Sequence, residues 1–306
     1  MQHTHIHEVV TRDGFQIEPQ FIPTERKIEL LDALSETGLA KIEVTSFVSP
    51  KAVPNLRDAE AVMAGIRRNA SVKYVALIAN LKGAERAIAA RVNEVNLVVS
   101  VSETHNRANV RRPTAASFED FEKIVRTLEG TGIAVSGALS TAFGCPFEGE
   151  QAAGRVMQFV HRYVDLGVDS VTLADTTGMA NPKQVLALCM ETRERWPELD
   201  LALHFHNTRG MGLANVLSGL AAGISHYEAC LGGLGGCPFA PGATGNICTE
   251  DLVHMLECMG YSTGVDLNRL LAASRLLGAI VNHELPGQVV KAGKTTELHA
   301  APADLR

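Results

Sequence analysis

The sequence predicts a (β/α)8 TIM barrel with an additional C-terminal helix. Eight short runs rich in β-branched residues alternate with longer helical segments, and no Pro- or Ser-rich linker separates them. The 306 residues suit one large barrel as well as two average domains. A doubly wound open sheet is the alternative, but no glycine-rich turn follows the first strand. We therefore expect a single domain, with the barrel over about residues 6–262 and a helical extension over about 266–306.

Each element is predicted from its spacing of apolar residues. In the first helical segment Ile28, Leu31 and Leu34 keep helical spacing, and Gly38 fits a C-terminal cap. The predicted strands are 6–11, 40–46, 72–78, 92–100, 133–140, 170–175, 199–206 and 226–231. The predicted helices are 23–38, 57–69, 82–91, 117–132, 149–167, 181–196, 212–223 and 249–260, with an extra one over 268–284.

Composition and charge narrow the class of protein. A net charge of −6 disfavours nucleic acid or an anionic membrane as the main partner. No stretch approaches the roughly 20 apolar residues of a membrane span, and the N-terminal "MQHTHIHEVV" lacks the pattern of an export signal. Six cysteines without a CxxC pair are typical of free thiols in a reducing compartment. We expect a cytoplasmic protein and a homodimer or larger homo-oligomer.

Polar residues follow most of the predicted strands, at the face where TIM barrels hold their active sites. This clustering, more than any single residue, predicts an active site at that face. The residues concerned are Arg12, Asp13 and Gln16 after the first strand, Glu43 in the second, Asp175 after the sixth, His204 and His206 in the seventh, and Cys237 and Asn246 beyond the eighth.

His204 and His206 are the clearest candidate metal ligands. Positions i and i+2 of a strand share one side, so both imidazoles would converge on one point. Asp13 and Asn246 would complete a set of oxygen and nitrogen donors suited to Mg²⁺ or Mn²⁺. The alternative for Asp13 is an ordinary turn residue before Gly14. A buried Arg12 would need a carboxylate partner such as Glu43.

The N-terminal "HTHIH" has the same spacing as the His204/His206 pair. His3, His5 and His7 precede or begin the first strand, at the end of the barrel away from the predicted chemistry. We interpret this segment as a surface arm or the start of the strand.

The six cysteines differ in their predicted roles. Cys237 lies in the glycine-rich stretch "GGLGGCPFAPG", where a thiol can carry a proton over a closed site. Cys189, Cys230 and Cys258 are predicted to be packing residues.

Several motifs resemble those of the 3-hydroxy-3-methylglutaryl-CoA lyase family of metal-dependent TIM-barrel lyases. They are "TRDGFQ", "KIEVTSFVSPKAVPN", "NLKGAERA", "FGCPFEG", "ADTTG", "HFHNTRGMGLAN" and "GGLGGCPFAPGATGNICTEDLVHMLE", in order over about residues 6–266. The glycine-rich cysteine loop followed by "GN..TEDL" is the most specific of these. The arginine–aspartate–glycine and HxH elements alone indicate only the wider superfamily of barrel lyases and acyltransferases.

The resemblance implies a role for each matching residue. Asp13, His204, His206 and Asn246 match the ligands of a divalent cation, Mg²⁺ or Mn²⁺. Arg12 matches the arginine that stabilises the enolate, Cys237 the acid/base thiol, and Glu43 and Asp175 carboxylates of the same site. The implied reaction cleaves a 3-hydroxy-3-methylglutaryl-CoA-type thioester to acetyl-CoA and acetoacetate. Mitochondrial members carry a transit peptide, and its absence here fits a bacterial cytosolic enzyme.

Three positions depart from the family pattern. Pro19, Asn207 and Arg209 stand where a lysine, an aspartate and a tyrosine are expected. Asn207 and Arg209 are predicted to contact the substrate, as are Arg12 and Gln16. The departures from the family pattern therefore leave the identity of the substrate's acyl chain undetermined.

Other functions stay open on the sequence alone. They are a lyase for a different 3-hydroxyacyl-CoA, an acyl-CoA-dependent condensing synthase, a metal-dependent hydrolase and a non-catalytic binding barrel. Synthases of the isopropylmalate type carry a further regulatory domain, and hydrolase barrels place their HxH on strand one.

Overall fold

Eight parallel strands close into a barrel in the computed structural model of the chain, which describes residues 2–236, 245–298 and 300. The order around the barrel is β1-β2-β3-β4-β5-β8-β9-β10, and β10 pairs with β1. The predicted TIM barrel is therefore confirmed. The strands are β1 (His5–Glu8), β2 (Lys41–Ser46), β3 (Lys73–Ile78), β4 (Glu94–Ser100), β5 (Ala134–Ser140), β8 (Ser170–Asp175), β9 (Asp200–Phe205) and β10 (His226–Ala229), with a hairpin of β6 (Gly144–Cys145) and β7 (Gly149–Glu150) after β5.

Helices follow the strands and cover the outside of the barrel. They are α1 (Thr24–Ser35), α2 (Ala59–Gly65), α3 (Leu81–Ala89), α4 (Glu103–Val110), α5 (Thr114–Leu128), α6 (Ala153–Asp165), α7 (Pro182–Arg195), α8 (Gly212–Ala221), α9 (Thr249–Cys258), α10 (Leu267–Val281) and α11 (Val289–Ala292). The extra C-terminal helix is confirmed as α10, which packs against α1 and α9. No helix among the described residues is long and apolar enough to cross a bilayer. That the whole chain is one catalytic domain stays a prediction.

Helix α1 shows how the predicted pattern works. Leu30, Leu31 and Leu34 are fully buried against the barrel, and each such side chain contributes roughly 1.5–3 kcal/mol on burial. Gly38 lies beyond the helix end with φ +89°, where a Cβ atom would come within 2.1 Å of the Gly264 carbonyl oxygen. The predicted glycine at the helix end is therefore required by its backbone conformation and by a close approach.

Strand β1 ends earlier than predicted. It stops at Glu8, not Thr11, and Val10–Gly14 form a π-helical turn. The carboxylate of Glu8 accepts hydrogen bonds from the amides of Val9 and Val10, at 3.0 and 2.9 Å. Because the Val10 amide is bound by this side chain, it does not continue the strand ladder. Arg12 and Asp13 belong to this turn, which places them at the C-terminal end of the barrel.

Helix α4 was not predicted. Its sequence "ETHNRANV" has no apolar periodicity, and its buried members are the polar His105 and Asn106. The Ser102 hydroxyl caps it by accepting a hydrogen bond from the His105 amide at 3.0 Å. A search for regularly spaced apolar residues does not detect a helix that is stabilised by polar contacts.

Candidate active site

Arg12 and Asp13 lie side by side in the π-helical turn after β1. Both are buried, and Nη1 of Arg12 donates to Oδ1 of Asp13 at 2.7 Å. Nε of Arg12 donates to Glu43 on β2, which confirms the predicted pairing of these two residues. Burial raises the pKa of Glu43, against the opposing effect of the Arg12 charge. The ion pairs hold the guanidinium as a fixed positive charge at the C-terminal face of the barrel.

His204 and His206 converge with Asp13 at the same face. His204 lies near the end of β9, and His206 is the first residue after this strand. Their ring centroids are 5.1 Å apart. One ligand atom from each of Asp13, His204 and His206 lies within 4.8 Å of the others, and all three residues are buried. This cluster could hold a metal ion.

Asn246 joins this cluster from the far end of the chain. Its Nδ2 donates to Oδ2 of Asp13 at 2.7 Å and to the Leu234 carbonyl at 3.0 Å. Its Oδ1 is buried and has no hydrogen-bond partner among the described residues. A carboxylate, two imidazoles and an unpaired amide oxygen form a donor set that fits a divalent cation.

The charge of Asp13 is supported by its neighbours. Burial alone would raise the pKa of this carboxyl, but the charges of Arg12, His204 and His206 and the Asn246 hydrogen bond outweigh it. The pKa is therefore lowered, and Asp13 is an anion at neutral pH.

Glu228 on β10 is the partner that sequence reasoning missed. Its Oε2 lies 2.9 Å from Nδ1 of His204, and its Oε1 accepts a hydrogen bond from Thr172 at 2.9 Å. Burial would lower the pKa of His204, but the hydrogen bond to Glu228 and its charge raise it. With Nδ1 held in this way, Nε2 of His204 is the nitrogen left for a ligand. The one hint in the sequence was a carboxylate inside the strand "HYEACL".

Asp175 lies at the end of β8, as predicted. Its Oδ1 accepts hydrogen bonds from the amides of Met179 and Ala180, at 2.7 and 3.0 Å. Its Oδ2 is buried without a partner among the described residues. Burial raises the pKa of this carboxyl to about 6. Asp175 is therefore a group that can exchange a proton near neutral pH.

Three predicted substrate-binding residues have partners within the protein. Gln16 donates to Oδ1 of Asp13 at 3.0 Å. Asn207 accepts a hydrogen bond from the first amide of α8, at 3.1 Å. Arg209 donates to the carbonyls of Thr177 and Gly178, at 3.1 and 2.9 Å. Contact of Gln16, Asn207 and Arg209 with substrate, like that of Arg12, stays a prediction. Pro19 is exposed.

The four cysteines with a predicted role fall into three groups. Cys237 lies outside the described residues. Cys189 and Cys230 are buried, as predicted, and burial raises the pKa of the Cys189 thiol to about 12. The prediction for Cys258 is wrong because this residue is exposed at the end of α9, with its Sγ 3.5 Å from the hydroxyl of Thr295.

His5 and His7 lie within β1, at the end of the barrel opposite Asp13. His3 is exposed and its backbone bridges to Ser262. The segment is thus the start of the first strand.

Comparison with known proteins gives one consistent family. Residues 3–277 match the HMGL-like family. Hydroxymethylglutaryl-CoA lyase of Bacillus subtilis is 41% identical, over 95% of this chain and 97% of that protein. (R)-citramalyl-CoA lyase of Chloroflexus aurantiacus is 40% identical, over 96% of each. A solved structure of an HMG-CoA lyase from Acinetobacter baumannii, in complex with coenzyme A and 3-methylmalate, is 52% identical over 98% of each chain with a TM-score of 0.94.

Proposed function

The chain belongs to the HMGL-like family, and we propose that it is a lyase that cleaves 3-hydroxy-3-methylglutaryl-CoA to acetyl-CoA and acetoacetate. The observation that carries the proposal is the convergence of Asp13, His204 and His206 beside the buried Arg12. A cation site next to a fixed positive charge is what cleavage of a 3-hydroxyacyl thioester needs. A cytoplasmic location and a homodimeric or larger assembly stay predictions.

The reaction breaks the bond between C2 and C3 of the acyl chain. The hydroxyl on C3 loses its proton as C3 becomes a carbonyl, and the bonding electrons pass to C2 as the enolate of acetyl-CoA. Asp13, His204, His206 and Asn246 would hold a divalent cation, Mg²⁺ or Mn²⁺. Such a cation lowers the pKa of a hydroxyl bound to it and fixes its orientation. Glu228 would keep His204 in the required orientation.

Arg12 is proposed to stabilise the enolate oxygen. Its guanidinium is held by Glu43 and Asp13, so it needs little rearrangement when negative charge develops. Asn96 supports the arrangement by donating to the other oxygen of Glu43 at 3.1 Å. A buried, preorganised cation contributes most where charge appears only in the transition state.

Cys237 is proposed to deliver the proton to C2. The residues that flank its segment support this role, because they lie against the cluster. A Cβ atom on Gly235 would come within 2.6 Å of Nδ2 of Asn246 and 3.1 Å of Oδ2 of Asp13. The chain therefore enters this segment directly beside the proposed metal ligands.

Cys237→Ser tests the proton transfer. A serine nearly preserves volume, but an alcohol is far less acidic than a thiol with a pKa of about 8.5. We expect kcat to fall much more than KM changes, whereas a residue that only seats the loop would tolerate serine and alanine alike. A fall in kcat of less than about threefold, or ~0.6 kcal/mol, rejects the role.

Citramalyl-CoA is the second candidate substrate. It is favoured by the 40% identity to an (R)-citramalyl-CoA lyase over 96% of each chain. Its acyl group has one methylene fewer between C3 and the carboxylate, and the same cleavage would give acetyl-CoA and pyruvate. One methylene changes specificity by only about 1–3 kcal/mol in a binding pocket, so the same machinery could serve either substrate.

The deciding experiment measures acetyl-CoA release from a panel of 3-hydroxyacyl-CoA thioesters. We expect 3-hydroxy-3-methylglutaryl-CoA to have the highest kcat/KM, and activity to require Mg²⁺ or Mn²⁺. A higher value for citramalyl-CoA would establish the second candidate. No release from either thioester would reject both, and full activity in excess chelator would reject the metal assignment.

A further inference from the structure

The N-terminal half of the barrel interior holds a cavity of about 460 Å³. TIM-barrel interiors are mainly layers of branched aliphatic side chains, but this cavity is lined largely by polar ones. They include His5, His7, Lys41, Glu94, Asp200 and His226. The cavity reaches Glu43 and Glu228, the partners of Arg12 and His204, whereas His5 and His226, the first residues of β1 and β10, line its N-terminal end.

Three of these side chains form what we call the N-terminal histidine cluster: His5, His7 and His226. His5 pairs in register with His226 where β1 meets β10, the seam that closes the barrel. Their rings are stacked, with centroids 4.4 Å apart and planes at 15°. Nε2 of His7 lies 3.3 Å from Nδ1 of His226.

The separation of these two nitrogens matches a metal site. Two imidazole nitrogens bound to one tetrahedral Zn²⁺, with Zn–N distances of about 2.0–2.1 Å, are roughly 3.3 Å apart. His7 and His226 therefore already have the spacing of two ligands. His5 lies against His226 and could provide a third nitrogen after a change of its side-chain rotamer.

We propose that the N-terminal histidine cluster is a second metal site, which takes a divalent transition metal such as Zn²⁺. Nitrogen donors favour Zn²⁺ over Mg²⁺, whereas carboxylate and carbonyl oxygens favour Mg²⁺. Binding moves the proton of the His7–His226 hydrogen bond to the other ring nitrogen of the histidine that donates it, so that both rings bind as neutral imidazoles. The metal would tie the first strand to the last. This inference does not depend on the proposed function.

The surroundings of the cluster favour uncharged imidazoles. Burial lowers the pKa of His7 well below its ordinary value and that of His226 to about 4, with further lowering by Lys41 and Lys73. Asp200 acts in the opposite direction on His226. Lys41 is itself paired with Glu94 at 2.7 Å, which offsets its repulsion of a cation.

The first test counts bound Zn²⁺ by equilibrium dialysis of the intact protein. We expect two equivalents for the natural chain and one for His226→Gln. His3→Gln is the matched control, because His3 is exposed and adjacent to His5, and it should retain two. Equal numbers of equivalents, bound with unchanged affinity, in the natural chain and in His226→Gln overturn the proposal. Loss of the second equivalent only in His3→Gln does so too, since it indicates chelation by the surface segment.

The second test uses thermal unfolding, since a ligand that binds only the folded state stabilises it. In a His206→Ala background, which removes a ligand of the first site, Zn²⁺ should still raise Tm. It should not do so once His226→Gln is added, and an equal rise in both proteins contradicts the proposal. His5→Gln, at a less buried position, replaces His226→Gln if the latter does not fold. If His5→Gln no longer binds Zn²⁺ at the N-terminal histidine cluster in the dialysis experiment, the site is supported. If it binds that Zn²⁺ as the natural chain does, the proposal is overturned.

Discussion

The two ends of the barrel hold two histidine pairs with the same spacing and opposite surroundings. His204 and His206 meet Asp13 and Glu228, and the carboxylate of Glu228 raises the pKa of His204 against the effect of burial. His7 lies among other imidazoles and Lys41, and its pKa is lowered. The i, i+2 spacing places two rings on one side of a strand, but side chains from other strands decide their charge.

The difference extends to the expected metal. The C-terminal pair is completed by a carboxylate and an amide oxygen from Asp13 and Asn246. The N-terminal pair is completed by a third imidazole, that of His226. Identical spacing thus accompanies a mixed set of oxygen and nitrogen donors at one end and the proposed all-nitrogen site at the other.

The largest expected effect tests the fixed charge at the C-terminal end. Arg12→Lys keeps a positive charge but loses the forked contacts to Glu43 and Asp13. We expect kcat to fall by about 10²–10³, as when one preorganised donor to a developing oxyanion is removed. Steady-state kinetics with 3-hydroxy-3-methylglutaryl-CoA measures this, with the exposed Arg67→Lys as control. A kcat within threefold of the natural chain would contradict the role of Arg12.

Glu228→Gln tests whether the carboxylate partner distinguishes the two ends. Gln cannot supply the negative charge that His204 meets. Loss of such a partner typically weakens metal binding by about 10–100-fold, and we expect that range for Mn²⁺ measured by calorimetry. His206→Ala, which removes a ligand outright, should weaken binding more. Equal affinities for Glu228→Gln and the natural chain would show that the carboxylate of Glu228 does not contribute to metal binding.

The N-terminal end should respond to pH through His226. Its folded pKa of about 4 lies below the ordinary 6.5, so below pH 6.5 the unfolded chain binds more protons than the folded one. The contribution of His226 to the free energy of unfolding is thus highest above pH 6.5 and falls as the pH is lowered towards 4. Without added metal, His226→Gln should reduce the loss between pH 7.5 and 5 by about 1 kcal/mol, after allowance for its partial exposure. Urea denaturation at both pH values measures this, and equal losses would contradict it.

The smallest expected effect on activity concerns Asn207 and Arg209, which hydrogen-bond to loops near the cluster of Asp13, His204 and His206. Asn207→Asp keeps the oxygen that accepts from Gly212, so we expect activity within about threefold of the natural chain. Adding Arg209→Tyr removes two bonds to the Thr177 and Gly178 carbonyls and should change the ranking of thioester substrates. An unchanged ranking would show that these positions do not line the acyl pocket.

The sequence alone determined the barrel and most of its elements. Apolar spacing within each segment is a local property, so strands such as 170–175 and helices such as α7 could be located from it. The convergence of Asp13, His204 and His206 followed from one further rule, that parallel strands in a barrel end at one face. Helix α4 escaped because it is held by polar contacts such as the Ser102 cap.

Only the tertiary structure decided where β1 ends and which groups surround each histidine pair. Glu8 accepts a hydrogen bond from the amide of Leu231, 223 positions away, and the same carboxylate binds the Val10 amide that would have continued the strand. Glu228 meets His204 because β9 and β10 pair with these two residues in register. Such partners depend on strand register across the closed sheet, which no local pattern specifies. The charge of each imidazole follows from those partners, and so does its chemistry.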